Sequence, residues 1–153
     1  MAEEHPNHTI QLIGAKVTFV PMDSAAPYSL TEWEMQVGSQ GPPIHIHHET
    51  DEGFYVMEGH FGFVLDGVTT YGKPGTHVLV PKGHSHSFWN AGVRPAKCLC
   101  IVAPPGLELY FRELAARLGG IDSQDASIGV RKKLSENYDI EVVGPPTGLP
   151  KQV

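Results

Sequence analysis

The stretch Pro42-Pro43-Ile44-His45-Ile46-His47-His48-Glu49-Thr50-Asp51-Glu52-Gly53 decides how this chain is read. His45 and His47 stand two apart, so on a strand both imidazoles point to one face. Glu52 follows after a short turn and heads the next strand, where a carboxylate can meet the two rings. Farther on, Pro81-Lys82-Gly83-His84-Ser85-His86 brings more imidazoles, again where a strand is expected to end. Imidazole is the commonest transition-metal ligand near neutral pH. Nitrogen donors with one carboxylate suit Fe, Mn, Ni, Cu or Zn. Of the nine histidines, five fall between residues 45 and 77 and two more at 84 and 86, which an even scatter would not give.

Outward from these clusters the pattern is that of short strands. Ile10–Ile13 and Lys16–Val20 are two apolar-rich runs parted by Gly14. Between Tyr28 and Val37, Leu30, Glu32, Glu34 and Gln36 alternate with Thr31, Trp33, Met35 and Val37, the period of a half-buried strand. Phe54–Met57 and Phe61–Leu65 flank Glu58-Gly59 and predict a hairpin. Asp66-Gly67 then predicts a second hairpin, into Val68–Tyr71. His77–Val80, Phe88-Trp89 and Cys98–Val102 complete the series. Turns every 8–12 residues suggest a sandwich or barrel. Cys98 and Cys100 would share a strand face without bridging, and read as small buried hydrophobes.

After Pro104-Pro105-Gly106 the period changes. Leu107, Tyr110, Phe111, Leu114 and Leu118 recur at helical spacing, with Gly119-Gly120 as a stop. A second helix is predicted over about 128–137, and the tail around Gly144-Pro145-Pro146 is expected to be extended or loose. The helices are expected to pack on the outside of the β unit or to cover one of its mouths.

Composition agrees. Gly and Pro make up 30 of the 153 residues, about 20% against a typical 12%. One domain is expected over residues 1–153, with a barrel over about 10–103 and a helical tail over about 106–140. The net charge is −6, and the densest basic run is Arg131-Lys132-Lys133, so neither nucleic acid nor an anionic membrane is an expected partner. The longest apolar run, Cys98–Ala103, has six residues, far short of the roughly 20 that span a bilayer. Met1–Pro6 lacks a signal-peptide pattern. A cytoplasmic, soluble protein is expected.

Both histidine clusters resemble the two motifs of the cupins. The first is similar to His45-x-His47, four residues, Glu52, six residues, Gly59. The second is similar to Gly75, five residues, Pro81-x-Gly83, two residues, His86, three residues, Asn90. The family usually places Gly six positions before the first His; here Ser39 stands there, between Gly38 and Gly41. The resemblance implies an all-β jelly-roll barrel, here with a C-terminal helical segment. It also implies one divalent transition metal ligated by His45, His47, Glu52 and His86. Phe54–Gly59, Val80–Phe88 and Pro104–Phe111 further resemble single-domain quercetin-dioxygenase-like cupins. That narrower resemblance implies a metal-dependent dioxygenase acting on a flavonol-like or polyketide-like enol. An oxygen-independent isomerase or cyclase of a secondary metabolite, or a cupin that only binds a ligand, are the alternatives, since fold does not decide function.

Strand parity adds a pocket. Phe54 and Val56 share the parity of Glu52, His84 and Phe88 that of His86, and Trp33 and Met35 are expected opposite. These six are the candidates for a small-molecule substrate wall, with Glu52 as the catalytic proton acceptor. The cupin resemblance also implies a homodimer, with the outer face of the Tyr28–Val37 strand as its candidate surface.

Overall fold

The structure is a computed structural model and describes residues 8–148. In chain order the strands are β1 (Thr9–Leu12), β2 (Ala15–Phe19), β3 (Ser29–Met35), β4 (Pro43–Ile46), β5 (Asp51–Glu58), β6 (Phe61–Leu65), β7 (Val68–Gly72), β8 (His77–Val80), β9 (His86–Asn90) and β10 (Ala96–Ala103). Two helices follow, α1 (Leu107–Leu118) and α2 (Gln124–Leu134), and then β11 (Glu141–Pro146). One sheet has the order β1-β2-β3-β10-β5-β8 and the other β11-β4-β9-β6-β7. All the pairings are antiparallel. The fold is an all-β jelly roll with C-terminal helices, as the sequence implied.

Alternation builds each inner face. Ser29, Thr31, Trp33 and Met35 of β3 are buried, while Leu30, Glu32 and Glu34 are only half covered. The predicted hairpin across Asp66-Gly67 joins β6 to β7, with Leu65 opposite Val68. Asp66 (φ 48°) and Gly67 (φ 80°) both have left-handed backbone, the requirement of a type I′ turn.

The hairpin predicted across Glu58-Gly59 is not present. β5 and β6 lie in different sheets, because both edges of β5 are already taken by β10 and β8. The link instead carries the chain from one sheet to the other. Gly59 turns it with φ 73°, so close to Ala96 that a Cβ there would lie 2.8 Å from the Ala96 Cβ.

Helix α1 buries the predicted stripe of Leu107, Tyr110, Phe111, Leu114 and Leu118. Helix α2 begins earlier than the apolar period indicated. Ser123 caps it, its hydroxyl accepting the Ala126 N–H at 3.1 Å. Its buried stripe is Gln124, Ser127, Arg131 and Leu134, polar in three of its four positions and therefore invisible to a search for apolar periodicity. The extended tail is a sheet edge: β11 pairs with β4, Val142 opposite His45. Among the described residues, no helix is long and apolar enough to cross a membrane.

Candidate metal centre

Two of the four candidate ligands come from one sheet, one from the other, and His47 from the residue after β4. His45 on β4 stands directly opposite His86 on β9, with ring centroids 4.4 Å apart. His47 follows β4, its ring 5.0 Å from that of His45 and 5.1 Å from that of His86. Glu52 reaches across from β5. Its Oε2 lies 2.8 Å from His86 Nε2 and 3.1 Å from His47 Nε2. All four residues are buried, and one donor atom from each lies within 4.8 Å of the others.

Backbone carbonyls orient the rings. The Pro43 carbonyl accepts the Nδ1–H of His45 at 2.7 Å, that of Asp139 accepts the Nδ1–H of His47 at 2.7 Å, and that of His84 accepts the Nδ1–H of His86 at 3.2 Å. A carbonyl can only accept, so each Nδ1 carries a proton and Nε2 is the ring atom left to ligate; those of His47 and His86 lie within hydrogen-bond reach of Glu52 Oε2. Outer hydrogen bonds that fix the tautomer in this way are a general feature of imidazoles that bind metals. The donor set therefore fits a divalent transition ion: three Nε2 atoms and one carboxylate converge in a buried site.

The electrostatics differ among the ligands. Burial, reinforced by the neighbouring His86 and His47, holds the His45 pKa well below the usual histidine value, favouring the neutral ring that ligates. Burial opposes charge on His47 too, yet its hydrogen bond to Glu52 and the Glu52 charge outweigh this and raise its pKa. For Glu52, burial is likewise outweighed by hydrogen bonds from His47 and His86, which hold the carboxyl well below its usual range. A buried carboxylate needs a cationic partner, and a bound divalent ion would supply one.

The cluster opens on a cavity of about 30 Å³ between the barrel mouth and the helices. Trp33, Met35 and Phe88 line it. The helical side contributes Tyr110, Phe111 and Arg131. This volume holds a water or two, whereas a benzene ring occupies a cavity of roughly 150 Å³.

Three pocket candidates are corrected. Phe54 and Val56 face inward with Glu52 but do not line the cavity. Phe54 packs into the core, 4.7 Å from the Phe88 ring and 5.6 Å from that of Phe63, and Val56 is fully buried farther along the strand. His84 precedes β9 in an exposed turn, where its parity with His86 no longer sets direction. Its Nδ1 pairs with the Asp66 carboxylate instead of reaching the cavity.

Two contributors escaped the sequence reading. Cys100 is more than a buried hydrophobe: its thiol donates to Glu52 Oε1 at 3.1 Å. Asp139 holds His47 through its carbonyl and the following loop through its carboxylate. Strand parity could have indicated the first, because Val102 lies opposite Glu52 across the β5–β10 pair and Cys100 shares its face. No local pattern marks the second.

The family model of the cupin domain matches residues 31–102, which contain every candidate ligand. The jelly roll and the two motifs agree with this match, and together they support assignment to the cupin superfamily. It is similar to the oxidoreductase iacF of Pestalotiopsis fici, 41% identical over 58 residues, or 36% of this chain and 28% of that protein. It is similar to the quercetin 2,3-dioxygenase of Bacillus subtilis, 30% identical over 79 residues, or 50% of this chain and 23% of that protein. The chain thus matches only about a quarter of the length of these two curated relatives. Among solved structures it resembles KdgF from Halomonas sp. (TM-score 0.58, 20% identity, 71% of this chain and 94% of that one). It also resembles the polyketide cyclase RemF from Streptomyces resistomycificus (TM-score 0.52, 26% identity, 60% of this chain and 66% of that one).

Proposed function

We propose that this chain is a metal-dependent dioxygenase of the quercetinase-like kind, with His45, His47, Glu52 and His86 as the ligands of one divalent transition ion and a flavonol-like or polyketide-like enol as substrate. The observation that carries the reading is the set of three Nδ1–carbonyl hydrogen bonds, which turn three Nε2 atoms toward the Glu52 carboxylate at the edge of a mostly apolar cavity. The similarity to a quercetin 2,3-dioxygenase supports the choice of reaction.

A bound divalent ion supplies Lewis acidity, which lowers the pKa of an enol oxygen. The protein's part is proton handling and orientation. Glu52 accepts the enol proton. Against burial, hydrogen bonds from His47 and His86 hold its carboxyl well below the usual range, so it is charged and ready to accept. Cys100 steadies the other carboxylate oxygen. Trp33 and Phe88, edge to face at 5.4 Å, present flat apolar surface to the substrate and exclude water from the reacting oxygen.

The test is metal analysis of anaerobically purified protein, followed by oxygen uptake with a panel of flavonols and other enols. His86→Ala is expected to lose the metal and keep the far-ultraviolet circular dichroism of the barrel; unchanged metal content would overturn the site. Glu52→Gln is expected to lower turnover by about 100-fold, the scale of general-base catalysis, and to lower metal content less. Equal losses would leave Glu52 as a ligand only. The similarity to a polyketide cyclase favours one second reading, an oxygen-independent cyclase or isomerase built on the same four residues. Product formed under strict anaerobiosis would select it.

A further inference from the structure

Of the run Arg131-Lys132-Lys133, the two lysines are exposed and Arg131 alone turns inward, where it is 5% exposed and lines the cavity. Its partners are all neutral. Nε donates to Ser127 Oγ at 2.9 Å, Nη2 to Gln124 Oε1 at 2.9 Å, and Nη1 to Tyr110 Oη at 3.4 Å. Among the described residues, no carboxylate forms an ion pair with it. Tyr110 does not supply the missing charge, since burial raises its pKa and keeps it a phenol.

A buried guanidinium without a counter-ion is costly, because desolvation is not repaid by an opposite charge. Tying α1 to α2 does not require it: a neutral side chain could bridge Ser127, Gln124 and Tyr110 without that cost. The three contacts use three of the five N–H donors, leaving two for a further acceptor. The same three contacts fix the planar fork, so little side-chain freedom remains to be lost on binding.

We propose that Arg131 is the charge-selecting residue of the cavity: it binds an anionic group, foremost a carboxylate, on a small ligand whose enol end lies at the imidazole cluster. The proposal rests on the reading of this cavity as the substrate site. It narrows the substrate class from enols in general to enols that carry an acid. Arg131 recognises one end of the molecule, Trp33 and Phe88 face its flat body, and Glu52 takes the proton from the other end.

Acetate and acetamide test this, being alike in shape and different in charge. The full-length protein, 15N-labelled, is treated with chelator in low-chloride buffer and titrated with each, and the Nε–H resonance of Arg131 is followed. Acetate is expected to move that resonance and to bind about tenfold more tightly than acetamide, as hydrogen bonds to a charged group imply. Arg131→Gln, checked for folding by circular dichroism, is expected to lose that preference, and Arg131→Lys to keep part of it. Equal affinities in the wild type, or a preference that survives in Arg131→Gln, would overturn the proposal. So would acetate binding that vanishes on chelation, because that binding belongs to the ion. The wild-type titration stands even if a variant fails to fold. A chain that binds no metal but shows the acetate preference would sink the dioxygenase reading and spare Arg131; metal without the preference would do the reverse.

Discussion

Asp139 braces the candidate metal centre from outside it. Its carbonyl takes the Nδ1–H of His47, and its carboxylate takes the N–H groups of His48 (2.8 Å) and Glu49 (3.0 Å) and the Thr50 hydroxyl (2.7 Å). The loop between His47 and Glu52 is thereby pinned at four points by one residue. Asp139→Ala leaves three donors without their acceptor and lets His47 and Glu52 drift apart. Metal affinity is expected to fall 10–100-fold, the usual effect of losing an outer-sphere partner, as measured by calorimetric titration; an unchanged affinity would make the loop rigid without Asp139. Burial works against the Asp139 charge, but the Thr50, Glu49 and His48 hydrogen bonds outweigh it and lower the pKa. A lowered folded-state value means that the anchoring is complete above the unfolded aspartate pKa. It is lost as pH falls through the folded one, so His48 and Glu49 amide protection should fade only in acid. At this scale the sequence was legible where chemistry is local. His45, His47 and Glu52 stand close enough in sequence to be read as a candidate group, and the cupin resemblance adds His86. Asp139 has no such signal, because its partners lie 89 to 92 residues away.

Helix α2 shows how an element escapes notice when its inner face is polar. The stripe Gln124, Ser127, Arg131, Leu134 has helical spacing, but hydrophobic periodicity registers only its last member. The helix is held by its cap and by the Arg131 contacts, with little apolar burial of its own. Ser123→Ala is expected to cost about 1 kcal/mol. If that falls on α2 alone, exchange of the Gln124–Leu134 amides should speed about fivefold while β3 and β10 stay protected. Uniform acceleration would mean that α2 and the barrel open as one unit. The same contrast separates the strands. β3 reads clearly because one face is core and the other wet, and β6–β7 because Asp66-Gly67 supplies the turn backbone. β5 and β6 read wrongly as a pair. Turn residues report that the chain reverses, and nothing local reports that β10 and β8 have already filled both edges of β5.

At the scale of the whole molecule, the candidate centre is a junction between the two sheets. Glu52 belongs to the β5 sheet, His45 and His86 to the other, and His47 follows β4. That assignment depends on pairings between distant strands, such as β3 with β10, and so lies beyond local sequence pattern. An ion bound at the junction links the layers only in the folded state, so its binding energy becomes folding stability. At a free concentration one hundred times its dissociation constant, that is about 2.7 kcal/mol. For a chain of this size each kcal/mol shifts the midpoint by about 2–4 °C, so divalent metal should raise Tm by about 5–10 °C, reversibly on chelation. The comparison that matters is the shift within each variant, because His86→Ala loses a buried side chain and starts from a different midpoint. His86→Ala should show almost no shift. The exposed pairs His48–Glu141 and His84–Asp66 are the competing places for an ion. Replacing His48 and His84 together by Ala should leave the full shift. If the shift instead survives in His86→Ala and disappears in the double variant, the ion belongs on the surface, and the buried cluster is a hydrogen-bonded joint between sheets rather than a metal centre.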